Sequence, residues 1–140
     1  MSNFDEKAVD RIKRLEREVE RLRVKESPGA WLDWTPYVEA SVGSLTSYTS
    51  SGRYCRIGKV IICNFSITIT DNGTGSGAIS TNLPVALRGR AIGVGRENAL
   101  TGKELQLYAS GTTIVIFDYG NAYPAATGAE LIGSIVYEAA

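Results

Sequence analysis

The sequence predicts a mainly β protein with a helical front: an N-terminal parallel α-helical coiled coil, then an antiparallel β-sandwich head of jelly-roll type, assembled as a homotrimer. Two observations lead there. The first 27 residues hold 8 basic and 7 acidic side chains, while the remaining 113 carry only 7 and 8. The hydrophobic period also changes, from 3.5 residues in the charged segment to 2 from Trp31 onward. The chain therefore divides into a trimerisation and attachment helix (1–27), a linker or neck (28–36) and a β head (37–140).

In the helix, apolar residues recur at Ala8, Ile12, Leu15, Val19 and Leu22. Spacings of 4, 3, 4 and 3 make a heptad seam, with Ile12 and Val19 at a and the others at d. Arg11 and Glu18 then fall at g, and Glu16 and Arg23 at e. In a parallel assembly Arg11 meets Glu16 of a neighbour and Glu18 meets Arg23, both attractive pairs. An antiparallel pairing brings g to g and e to e, and charge alone does not exclude it. The segment Asp5 to Glu26 is roughly 33 Å long as a helix. A lone helix of that length is marginal in water, so it needs the domain behind it to associate as well. β-branched a residues with Leu at d favour dimers in general. Arg11-Ile12-Lys13-Arg14-Leu15-Glu16, however, resembles a short trimer-specifying pattern in which the Arg stem covers the seam and its guanidinium pairs with a neighbour's Glu. That local match decides for a trimer.

Ser27-Pro28-Gly29 is expected to end the helix, because proline disfavours helical geometry at Ser27. Beyond it, Cys63, Phe65, Ile67 and Ile69 alternate with polar residues as a half-buried strand. Asp71 to Gly77 reads as a loop. Leu105, Leu107 and Ala109 lead into a Ser110-Gly111 turn, Thr112 to Tyr119 forms a strand, and Gly120 to Ala129 a long loop. Leu131, Gly133, Ile135 and Tyr137 alternate in a closing strand. Six to nine short strands at intervals of roughly ten residues suggest a sandwich or jelly roll. A two-residue turn at Gly58-Lys59 would pair Cys55 with Ile62 and Cys63 with Tyr54. The sulfurs would then point to opposite faces, so both cysteines are expected as reduced, buried thiols.

On these elements the domain resembles the C-terminal heads of bacteriophage receptor-binding proteins and tail or head fibres. The matching features are Trp34-Thr35-Pro36, the hairpin Tyr54 to Val60, the Leu83-Pro84 step, and the closing Gly133-Ser134-Ile135-Val136-Tyr137, in that order across most of residues 31–138. A short coiled coil running directly into a β head is similar to small trimeric phage fibres. The anchoring module or repetitive shaft of larger relatives has no counterpart here, so attachment to a particle would fall to the N-terminal helix.

The composition argues against several other chemistries. Histidine is absent, which removes the commonest general base and metal ligand. No catalytic group, metal site or cofactor is expected. Gly93-Val94-Gly95 lacks the third glycine of a dinucleotide loop. Zero net charge argues against a nucleic-acid partner. No run of about 18 apolar residues predicts membrane insertion.

Binding must then come from aromatics and loops. Asp118, Asn121 and Tyr123 are the candidate ligand-binding residues, since the tyrosine ring can stack on a sugar whose hydroxyls meet the polar pair. Trp31 and Trp34 are assigned to a subunit interface, Tyr37 and Tyr119 stay open, and Arg96-Glu97-Asn98 reads as a solvated turn. The expected protein is a virion component on a phage tail or capsid, assembled in the host cytoplasm. It would contact other virion proteins through its helix and a host surface glycan or receptor through its head. The alternative is capsid decoration or a baseplate part, docked by the helix, that binds no receptor.

Overall fold

The computed structural model describes residues 3–25 and 29–140. Two compact units divide at Ala30. The first is helix α1, Asn3–Lys25. Asp5 and Glu6 lie in its first turn, where carboxylates complement the helix dipole. Ile12, Leu15 and Val19 stand 54%, 60% and 50% exposed along it, while Ala8 is half-buried. Glu18 is held by Arg21 of the same helix at 3.0 Å, and Arg11 and Glu16 are exposed. The side chains assigned to the seam at Leu22 and Arg23, and the helix stop at Ser27-Pro28, lie outside the described residues.

The second unit carries nine antiparallel strands: β1 Trp31–Trp34, β2 Val38–Val42, β3 Ser47–Ile57, β4 Val60–Asp71, β5 Ser76–Asn82, β6 Arg90–Glu97, β7 Glu104–Ser110, β8 Thr113–Asp118 and β9 Glu130–Glu138. The protein is thus mainly β with one N-terminal helix. The strands form one continuous sheet, in the order β1-β3-β4-β9-β6-β7-β8-β5-β2, rather than two separately bonded layers. Its edge strands β1 and β2 are consecutive in the chain, joined only by Thr35-Pro36-Tyr37. So short a link can connect opposite edges only if the sheet curls until they approach. Side chains close the remaining seam: Val38 N donates to the Tyr48 hydroxyl at 3.1 Å and Ser50 Oγ donates to the Pro36 carbonyl at 2.5 Å.

Curling gives the sheet an inner face and an outer one. The inner face is the core, with Ile61, Cys63, Phe65, Ile67 and Ile69 of β4 facing Leu105 and Leu107 of β7, Ile114 and Ile116 of β8, and Leu131 and Ile135 of β9. Two glycines let aromatic rings lie directly on the backbone. A side chain at Gly52 would clash with the Trp34 ring, and one at Gly133 with the Phe65 ring. Trp34 and Phe65 then pack edge to face, 6.2 Å between centroids.

The hairpin turn falls at Gly58-Lys59, with Ile57 opposite Val60 and Gly58 at a φ of 60°. Cys55 pairs with Ile62 and Cys63 with Tyr54. The two thiols are free, buried and on opposite faces. Burial pushes the Cys63 thiol up to about 11, which keeps it protonated and unreactive. The loop expected over 71–77 is shorter, because Ser76 and Gly77 already pair in β5. The β unit also begins earlier than position 37. Residues Trp31–Trp34 lie within the segment read as neck, yet they pair with β3 as an edge strand.

Candidate functional site

Strand β1 is four residues long, but it shapes an open concavity of the β unit. Its register places Asp33 opposite Arg53, and Arg53 opposite Asn64, as one row of side chains on the outer face of β1, β3 and β4. The next row runs Trp31, Cys55, Ile62. Trp31, Asp33, Arg53 and Asn64, together with Trp34, line an open groove of about 560 Å³. Trp31 presents a partly exposed ring on one side. Arg53 Nε lies 3.2 Å from Asp33 Oδ1, in an ion pair whose side chains are 60% and 90% exposed. The indole Nε1 of Trp34 is buried with no hydrogen-bond partner.

This is a chemically legible set. An indole face accepts the apolar face of a flat ligand. A carboxylate, a guanidinium and a carboxamide are planar groups that present paired donors or acceptors, the geometry that adjacent hydroxyls match. Asp33 is the groove's one carboxylate, and among the described residues no group of three or more His, Cys, Asp or Glu could hold a metal ion.

Asp118, Asn121 and Tyr123 are placed differently, on the loop after β8. Asp118 is buried, and its Oδ1 accepts from Gly120 N at 2.8 Å and Ala122 N at 2.9 Å. The Ala122 amide first, then the Gly120 amide and Lys103 at 3.7 Å, hold its carboxyl below the usual range against the opposing cost of burial. Asn121 is exposed and adopts φ 62°, and its Oδ1 accepts from Gln106 Nε2 at 3.3 Å. The Tyr123 ring packs against the core, and its hydroxyl donates to Asn72 Oδ1 at 2.6 Å. Burial raises its pKa. Asp118 and Tyr123 share a small cleft of about 90 Å³ with Glu97 and Lys103, which Asn121 does not line. Each of the three has a side-chain oxygen engaged within the protein, Asp118 by loop amides, Asn121 by Gln106 and Tyr123 by Asn72.

Glu97 corrects an expectation. Read as part of a solvated turn, it is 1% exposed. Its carboxylate accepts from the amides of Ala99, Leu100, Thr101 and Glu130. Burial alone would raise its pKa, but these donors overturn that cost and hold it at about 2. The residue ties the β6–β7 turn to the start of β9. Gly93 and Gly95 lie within β6, paired with β7 and β9, far from any phosphate-binding loop geometry.

Sequence reasoning took Trp31 and Trp34 for interface residues and missed Asp33, Arg53 and Asn64. Only the pairing of three strands brings those together. No family model, no curated protein and no solved structure matches this chain.

Proposed function

We propose that this chain is the subunit of a homotrimeric bacteriophage fibre, a structural protein of the virion whose β head binds saccharide on the host cell surface. The observation that carries the reading is the groove: an exposed indole face at Trp31 beside the planar polar row Asp33, Arg53 and Asn64. That combination serves a sugar ring, apolar on one face and ringed by hydroxyls. The heptad residues Ile12, Leu15 and Val19, in the open along α1, supply the trimer. The parallel coiled coil holds three curled-sheet heads in one orientation, and the helix also serves as the contact to other virion proteins. Three linked weak sites bind more tightly than one without any new contact, through effective concentration.

The test is binding of the full chain to isolated host envelope polysaccharide, by surface plasmon resonance. Saturable binding is expected, lost in Trp31→Ala and reduced about a hundredfold when Ile12→Asp and Leu15→Asp separate the subunits. Stable incorporation into particles with no envelope binding, and adsorption unchanged when the protein is removed, would overturn the receptor reading in favour of a decoration or baseplate component.

A further inference from the structure

The outer face of the sheet changes character beyond Asn64. On β9, β6, β7 and β8 the outward residues form two adjoining rows. In one, Ile62 pairs with Val136, and Ile92 with Tyr108 and then Val115. Ile92 and Val136 flank the Gly93–Ile135 pair, so they fall opposite each other and join the row. In the other, Asn64 pairs with Ser134, Ser134 with Val94, Val94 with Gln106 and Gln106 with Phe117. No residue in either row carries a formal charge. Ile92, Val94 and Val136 are 80%, 61% and 54% exposed. Charges of both signs return only at the borders, with Arg96 opposite Glu104 on one side and Glu138 beside Arg88 on the other.

From this geometry we infer that the outer face of β9, β6 and β7 is covered by a second copy of the same chain. Two rows of side chains across β4, β9, β6, β7 and β8, with strands about 4.8 Å apart, make a patch of roughly 300 Å². That exceeds what scattered surface apolars produce, and its charge-free centre with charged borders has the anatomy of an interface. It is also smaller than the roughly 800 Å² per partner that a free protein needs for stable binding. A patch of this size suits a partner already held nearby. The chain supplies one in α1, whose heptad seam would tether a neighbouring copy and raise its local concentration. Each border carries both signs, Arg96 with Glu104 and Arg88 with Glu138, so a second copy can meet it with opposite charges facing. The inference rests on the self-association in the proposed function, and is independent of what the groove binds.

The test uses the full chain with one added thiol on the patch, Val94→Cys, and a control thiol on exposed β2, Glu39→Cys. The native cysteines are both buried, so background labelling is low. Oligomeric mass is measured by light scattering and maleimide labelling is timed on the same sample. Labelling at position 94 is expected to be at least about tenfold slower than at position 39, and to rise to the control rate on dilution to the monomer. Val136→Cys repeats the measurement should Val94→Cys lower the melting temperature. An oligomer labelled at the control rate at both patch positions overturns this inference and leaves the trimeric fibre standing. A monomer at all concentrations overturns both.

Discussion

The inner and outer faces of the one sheet are built by alternate residues of the same strands, yet they answer to different constraints. The inner face of β4 reads Ile61, Cys63, Phe65, Ile67, Ile69, all buried. Its outer face reads Ile62, Asn64, Ser66, Thr68, and there the side chains are half-buried or exposed. What the inner face loses is paid in folding. What the outer face loses should appear in association or binding, with the fold intact. This division makes the sheet's function separable from its stability, residue by residue.

The largest effect is expected inside. Ile116→Ala on β8 removes a fully buried side chain and should cost about 2–5 kcal/mol of unfolding free energy. Urea unfolding of the β unit, followed by tryptophan fluorescence, reads it. A loss below about 1 kcal/mol would mean that the curled sheet repacks and that the inner face is less constrained than its burial implies.

Glu97 extends the same test to a polar group. Its folded value of about 2 lies below the ordinary 4.5, so the carboxylate form is favoured in the folded state. The contribution is complete above about pH 4.5 and is lost as pH falls toward 2, on the order of 3 kcal/mol for this carboxylate held by backbone amides. Asp118, lowered in the same direction, adds to the slope. Glu97→Gln should flatten the acid limb of the stability profile between pH 4.5 and 2. An unchanged limb would assign acid sensitivity to other carboxylates.

These two cases also mark what the sequence made legible. The period-2 run from Cys63 to Ile69 identified β4 and its inner face directly. The Gly58-Lys59 turn fixed the register of β3 against β4, and with it the separation of Cys55 from Cys63. Both features are local. The strand order was not legible, because β9 inserts between β4 and β6 through pairings that no local pattern encodes. Glu97 looked solvated because its donors are backbone amides, one of them 33 residues away. The groove was hidden for the same reason: Asp33, Arg53 and Asn64 are polar residues in three separate strands, and only register makes them a row. Asp118 and Tyr123 drew attention as polar and aromatic loop residues, and such residues also serve to hold loops in shape.

On the outer face the expected ranking of effects reverses. Trp31→Ala should lower unfolding free energy by about 1 kcal/mol, since the ring is partly exposed on an edge strand, while abolishing polysaccharide binding by the trimer. Calorimetry of unfolding beside the binding titration separates the two. A loss of several kcal/mol would place Trp31 with the core, and retained binding would move the ligand site elsewhere.

The smallest stability effect sharpens the comparison most. Asp33→Asn breaks an exposed ion pair with Arg53, and such pairs contribute about 0.2–1 kcal/mol. The unfolding midpoint should therefore shift little, and less still at high salt. The binding change has a sign that stability does not. If Asp33 accepts hydrogen bonds from a neutral sugar directly, the amide weakens binding at every ionic strength. If its role is to orient the Arg53 fork, added salt should weaken wild-type binding toward the Asp33→Asn level, because screening loosens the same pair. Equal binding by wild type and Asp33→Asn at low salt would remove the carboxylate from the site and leave Trp31, Arg53 and Asn64 as the groove's recognition elements.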